Sequence, residues 1–269
     1  MILFKNKRSA GSLNLKLSIM YSNIAIYTYE VDPFYTDPNK EMSIAAIVNH
    51  IQIAASAHAD SCGWGFDKLS ESETRWVLAR LAVEMNTYPQ LYDTLVVETW
   101  VEDITRLFSI RNFEFKNQNG ETLGYACSIW SAINMETRKS IDLTSLSGDI
   151  MSYKSDKPCP INRPVKPLSI ADTSFLDLPI RYSDIDVNRH VNSTRYIEHL
   201  LDLFPLDFHD KYMINRFEIA YQNEARFGDT LELHKKELEP LKYAFEIKKN
   251  NLETACKAQI KFKPKQSTN

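Results

Sequence analysis

Between positions 184 and 192 the chain reads Asp-Ile-Asp-Val-Asn-Arg-His-Val-Asn, which places carboxylates, amides and an imidazole within one short segment. An imidazole titrates near neutral pH, and carboxylate and amide neighbours can fix its tautomer and orientation, so these residue types suit general acid–base chemistry. Asp186, Asn188 and His190 alternate along the chain; they share a face in an extended segment and can also converge in an irregular turn. Burial of Val187 and Val191 is expected to anchor the segment while the polar set faces a cleft. The same residue types also begin helices, and Asn192 can cap one that starts at Ser193, so composition does not separate the two uses. A further carboxylate, Glu224, follows an apolar run and precedes Gly228. It joins the set if the fold brings it to His190; otherwise it is a solvated charge with Arg226 as its surface partner.

Two successive series of elements are expected to position these groups. Residues 24–31 read as a strand, 41–59 as a helix with Ile44, Ile47, Val48, Ile51 and Ala55 on one face, and 76–85, 94–105, 107–116 and 121–134 as strands. Asn119-Gly120 signals a two-residue hairpin between the last two. Residues 157–168 hold four prolines, which oppose both helix and central strand and suggest an extended linker. The order then restarts: a strand at 176–182, a helix at 194–204 with Ile197, Leu200, Leu201 and Phe204 toward a core, and strands at 217–221, 230–238, 243–249 and 253–262. This repeat of architecture predicts an α+β protein of two units, each an antiparallel sheet wrapping one long helix: 1–155, a linker at 156–170, and 171–269.

Composition narrows the function classes. With 269 residues and 43% hydrophobic content the chain can bury sizeable cores, and its formal charge of -3 comes without an Arg/Lys block of the kind that binds nucleic acid. The N-terminal stretch with Lys5, Lys7 and Arg8 lacks a long apolar run, and no unbroken segment reaches membrane-spanning length, so a cytoplasmic, bacterial protein without stable membrane insertion is expected. Cys62, Cys127, Cys159 and Cys256 are too scattered for a zinc site or a disulfide framework. His58, Asp60 and Cys62 read as helix termination rather than metal ligands, and the glycines of Cys62-Gly63-Trp64-Gly65-Phe66 do not form a dinucleotide fingerprint. No metal and no cofactor are expected.

The stretch Asp-Ile-Asp-Val-Asn-Arg-His-Val-Asn-Ser-Thr-Arg-Tyr-Ile resembles the catalytic stretch of acyl-acyl carrier protein thioesterases. Trp76-Val77-Leu78-Ala79-Arg80 with Pro89, Val97-Glu98-Thr99-Trp100, and Ser128-Ile129-Trp130 with Thr137-Arg138 follow in the order of that family, and the likeness covers nearly the whole chain. The resemblance implies a double hotdog fold and hydrolysis of fatty acyl-carrier protein thioesters, which releases free fatty acid and ends chain synthesis. It assigns Asp186, Asn188, His190 and Glu224 to catalysis. The plant pattern often has Cys directly after this Glu; here Ala225 stands there, which favours a carboxylate-centred mechanism over a cysteine acyl-enzyme. Asp186 is then either an organiser of the site or a nucleophile, and a backbone N–H at Val191 or Asn192 is a candidate oxyanion donor. The resemblance also locates tail discrimination in the first unit, with Ile47, Ile51, Ala55, Trp64 and Phe66 as candidate substrate-binding residues. The implied partner is an acyl carrier protein, whose phosphopantetheine belongs to the substrate. Arg189 is the first candidate to contact that phosphate or the carrier, with Arg75, Arg80, Arg138, Lys139 and Arg195 as further cations. Hydrolysis of acyl-coenzyme A, a noncatalytic acyl-binding role and dehydratase chemistry are the competing readings, and a homodimer is compatible with the sequence.

Overall fold

Ile44, Ile47, Val48, Ile51, Ala54 and Ala55 recur at helical spacing, and burial of that stripe organises the N-terminal half. They lie on α1 (Ile44–Ser61), which Ser43 caps by accepting the Ala46 N–H at 3.1 Å. The computed structural model describes residues 23–145, 150–170, 174–250 and 252–265; the segment with Lys5, Lys7 and Arg8 and the polar residues after 265 lie outside them. Strands β1 (Ile24–Glu30), β2 (Thr74–Met85), β3 (Thr94–Ile104), β4 (Ser109–Lys116) and β5 (Thr122–Asn134) accompany α1, with a short α2 (Phe66–Ser70) before β2. The second half repeats the order with β6 (Ser174–Pro179), α3 (Ser193–Leu201), α4 (Leu206–Lys211), β7 (Tyr212–Tyr221), β8 (Thr230–Glu239), β9 (Lys242–Lys249) and β10 (Glu253–Pro264).

The two expected sheets are joined edge to edge into one antiparallel sheet of order β1-β3-β4-β5-β2-β7-β10-β9-β8-β6. The seam is β2 on β7, with Arg80 opposite Ala220 and Glu84 opposite Arg216. Joining removes one exposed strand edge from each half. Leu81, Val83 and Met85 of β2 and Phe217 and Ile219 of β7 are fully buried on the helix side. Residues 157–170 cross the other face as an extended strap held by polar contacts. Lys157 Nζ lies 2.6 Å from both Glu98 and Glu114, Lys157 O accepts from Trp100 Nε1, and Ile170 N–H donates to Glu246.

Some boundaries differ from those expected. Residues 118–120 form a three-residue loop in which Asn117 N–H donates to Glu121 O at 3.0 Å and Gly120 takes φ 83°. Gly120 therefore supplies the left-handed position of a longer hairpin next to a register shift at Phe115/Lys116, not a two-residue turn. The six-residue α4 is too short to show a helical period, which is why it escapes a sequence reading.

The halves also differ where it matters for function. α1 has 18 residues and α3 has 9. The chain register that places Asp37 at Asp186 also places Ala55 at Phe204. Phe204 is buried beyond the end of α3, its ring 4.7 Å from that of Phe208, 5.0 Å from Tyr243 and 5.2 Å from Phe262. The aromatic cluster fills the space around Phe204, whereas the matching place in the first half holds only the small Ala55.

Candidate active site

The segment between β6 and α3 is built by its own hydrogen bonds. Asp186 N–H donates to His190 O at 2.8 Å, and Arg189 N–H donates to Asp186 O at 3.0 Å with Arg189 at φ 62°. Asp186 Oδ1 accepts from the Asn188 and His190 N–H groups at 2.8 and 3.2 Å, and Oδ2 accepts from the Asn188 amide at 3.3 Å. Asp186 thus folds the turn that presents Asn188 and His190 together, as Asx turns do. Val191 is buried as expected, but Val187 is 72% exposed, because the turn projects it away from the core. The Val191 and Asn192 N–H groups are not oxyanion donors: they donate to Ala225 O and Asp184 O, each at 2.8 Å. Asn192 caps α3 by accepting from Thr194 N–H, so the capping and chemical uses of this segment coexist.

Glu224, on the loop after β7, does reach the imidazole: its Oε2 lies 3.2 Å from His190 Nε2. Its partner cation is Arg138, Nη2 to Oε1 at 2.6 Å, rather than Arg226. Burial lowers the His190 pKa below the ordinary histidine value, with Arg226 and Arg138 pushing the same way against the pull of Glu224 and Asp186. The ring is therefore neutral at pH 7, and a carboxylate at Nε2 selects the tautomer with its lone pair on Nδ1.

The first half carries the same turn. Asp37, Asn39, Glu41 and Ser43 stand in the places of Asp186, Asn188, His190 and Asn192. Asp37 Oδ1 accepts from the Asn39 and Glu41 N–H groups at 2.8 and 3.0 Å, Lys40 takes φ 63°, and Met42 N–H donates to Pro89 O at 2.8 Å. Glu41 replaces the imidazole, and by backbone position Tyr88 replaces Glu224. Only the second turn joins an imidazole to a carboxylate.

A narrow cavity of about 70 Å³ lies in the first half at the C-terminal end of α1. Of the expected substrate-binding residues, Ala55, Trp64 and Phe66 line it. Ile47 and Ile51 do not: they face the sheet from earlier turns of α1 and are sealed in the core at 0% exposure. Ser193, three residues after His190, bonds Gln52 of α1 at 3.1 Å, and one turn beyond Gln52 Ser56 lines the cavity, a rise of about 6 Å. That bond ties the helix that follows the polar set to the helix that lines the cavity.

Arg111 is the wall residue that sequence reading missed. It donates to His58 Nδ1 at 2.8 Å and to Thr99 Oγ1 at 3.2 Å, and no carboxylate pairs with it among the described residues. Burial lowers Arg111 to about 10, and burial with the Arg111 charge pushes His58 down to about 3, so His58 is a neutral acceptor. The strand alternation held the signal, since Arg111 shares a face with Phe113 and Phe115. Among the expected carrier contacts, Arg75 stacks on Phe66, its guanidinium carbon 4.1 Å from the ring centre, and Arg195 pairs with Glu198. Arg189 is exposed and forms no ion pair among the described residues.

The cavity wall depends on one close approach. A Cβ on Gly65 would lie 1.5 Å from Asp60 Oδ1 and 2.7 Å from Asp60 Cα, so Gly65→Ala must displace backbone at the end of α1. The expected result is a loss of about 1–3 kcal/mol in denaturant unfolding, the usual scale for forced overpacking.

A family model described as the acyl-ACP thioesterase N-terminal domain matches residues 23–150, and one described as the acyl-ACP thioesterase C-terminal domain matches residues 168–264. The chloroplastic oleoyl-acyl carrier protein thioesterase 1 of Arabidopsis thaliana is 25% identical over 224 residues, 76% of this chain and 61% of its own length. The chloroplastic dodecanoyl-[acyl-carrier-protein] hydrolase of Cinnamomum camphora is 28% identical over 218 residues, 76% of this chain and 57% of its own. The chain thus spans less than two thirds of these relatives. A crystal structure of an acyl-ACP thioesterase from Bacteroides thetaiotaomicron is 39% identical and covers 90% of this chain and 98% of its own, with a TM-score of 0.85. The 12:0-ACP thioesterase from Umbellularia californica, 23% identical over 91% of this chain and 99% of its own, shares the fold at a TM-score of 0.81. Matched across both halves, this double hotdog chain belongs to the acyl-ACP thioesterase family.

Proposed function

We propose that the protein hydrolyses the thioester of a fatty acyl-acyl carrier protein, with His190 and Glu224 as its central pair. The observation that carries this reading is the 3.2 Å contact between His190 Nε2 and Glu224 Oε2, with an apolar-lined cavity on the helix that Ser193 contacts. Glu224 holds the tautomer, and Nδ1 of the neutral ring takes a proton from water as the oxygen attacks the thioester carbonyl. Asn188, oriented by Asp186, polarises the carbonyl oxygen. Collapse of the tetrahedral intermediate breaks the C–S bond, the imidazolium returns its proton to the leaving sulfur, and free fatty acid and carrier thiol result. Asp186 organises the turn. Neither a metal nor a cofactor enters these steps. The tail runs toward Trp64 and Phe66, and Arg111 limits its length, because a methyl end gains nothing from a buried guanidinium. Arg189, exposed beside His190, contacts the phosphopantetheine phosphate or the carrier.

Thiol release from a panel of saturated acyl-acyl carrier proteins, with matched acyl-coenzyme A controls, tests the proposal. Preferential turnover of the carrier-linked substrates is expected. Preference for coenzyme A would reassign the carrier, and binding without thiol release would make the protein an acyl-binding one.

Because burial outweighs the pull of Glu224, the acid limb of the kcat/KM profile, which reports the free enzyme, should fall below pH 6.5. Activity is retained above that limb and lost as the pH drops through it. A limb above 6.5 would count against a neutral His190 base.

A further inference from the structure

Among the described residues three ion pairs cross between the halves; Arg216–Glu84 lies on the β2–β7 seam itself, and the other two occupy matching places. β5 ends at Asn134, and in the turn that follows Arg138, at φ 59°, sends Nη2 to Glu224 Oε1 at 2.6 Å. β10 ends at Pro264, and the next residue, Lys265, sends Nζ to Glu41 Oε2 at 2.7 Å. The backbone repeats at both points: Met135 N–H donates to Glu73 O at 2.8 Å, and Lys265 N–H donates to Lys211 O at 2.9 Å. Each half therefore extends a cation from the end of its last strand to an acid beside the other half's Asx turn. At Lys265–Glu41 the acid stands in the place of the imidazole and ties the halves together. At Arg138–Glu224 the acid is also in contact with an imidazole.

From this we infer that Arg138 is a positioning residue through which the N-terminal half completes the active site. Glu224 is 35% exposed on a loop, and a glutamate side chain there has several rotamers to lose. The two carboxylate oxygens divide the work: Oε1 is held by Arg138, which leaves Oε2 aimed at His190 Nε2. A guanidinium fixes such a carboxylate in direction as well as charge, which a lysine ammonium does less well. Arg138 acts through Glu224 and not on the substrate.

The inference rests on the reading of His190 and Glu224 as the catalytic pair, and the test separates the two. Full-length Arg138→Ala, Arg138→Lys, Lys265→Ala and His190→Ala proteins are compared with wild type on the acyl-carrier protein that wild type hydrolyses fastest, alongside thermal melts. Arg138→Ala is expected to lower kcat by about 10- to 100-fold, the scale of a misplaced catalytic group, with KM within about two-fold. Arg138→Lys should recover part of that loss. Lys265→Ala should lower the melting temperature about as much as Arg138→Ala while keeping wild-type kcat. Wild-type kcat in Arg138→Ala, a loss confined to KM, or an equal kcat loss in Lys265→Ala would each overturn the inference. An inactive His190→Ala beside a fully active Arg138→Ala removes Arg138 alone, whereas an active His190→Ala removes the catalytic pair and this inference with it.

Discussion

His190→Ala should reduce kcat for thiol release by about 1,000-fold, inside the 10²- to 10⁴-fold range for a positioned acid–base group. In the proposed mechanism the same ring takes the proton from water and returns it to sulfur, so both transfers lose their carrier. A thiolate is a good leaving group even unprotonated, which keeps the loss below the top of that range. KM should change little, because the wall of the cavity proposed to hold the tail does not include His190. Stability should barely move: His190 is not part of the apolar core, whereas truncating a sealed residue such as Ile51 to Ala would cost about 2–5 kcal/mol. Steady-state kinetics and a thermal melt on the same preparation separate the two effects. A folded His190→Ala protein with wild-type turnover would remove the imidazole from the mechanism.

The site was partly legible in the sequence. Asp186, Asn188 and His190 share one short turn, and local hydrogen bonding converges them whatever the rest of the chain does. Glu224 is 34 residues from His190, and its contact exists only because Ala225 O receives the Val191 N–H and pins the two loops together. That bond is tertiary and leaves no local pattern, so resemblance rather than spacing pointed to Glu224. Arg138 was legible as a charge but not as a partner, since its reach follows from the joining of β2 to β7.

Fold class followed from the repeated order of elements, and the apolar stripe of α1 was recoverable from its period. The asymmetry between halves was harder to read. Ala55 and Phe204 each fit a helical core position, and nothing in their own neighbourhoods says that one lines a cavity and the other packs into an aromatic cluster. The duplicated turn was present as Asp37-Pro38-Asn39 against Asp186-Val187-Asn188, but with Glu41 in place of His190 it offered no acid–base signal.

That duplication favours an organising role for Asp186 over a nucleophilic one. Asp37 accepts the same two backbone N–H groups in a turn that has no imidazole, so the hydrogen bonds of Asp186 belong to the turn and need no catalytic explanation. Asp37→Ala and Asp186→Ala should therefore each cost about 1–3 kcal/mol in denaturant unfolding, the scale for backbone donors that lose a charged acceptor. Only Asp186→Ala should also lower kcat, by about 100-fold, because His190 and Asn188 then lose their registry. Asp186→Asn distinguishes organiser from nucleophile most sharply. Its amide oxygen still accepts from the Asn188 and His190 N–H groups, so an organiser retains kcat within about 10-fold, whereas a nucleophile that has lost its carboxylate forms no acyl-enzyme and falls by several orders of magnitude. Single-turnover kinetics on Asp186→Asn, with the protein's fold checked by circular dichroism, should show thiol release without an accumulating acyl-enzyme; loss of the reaction as complete as in His190→Ala would instead make Asp186 the attacking group.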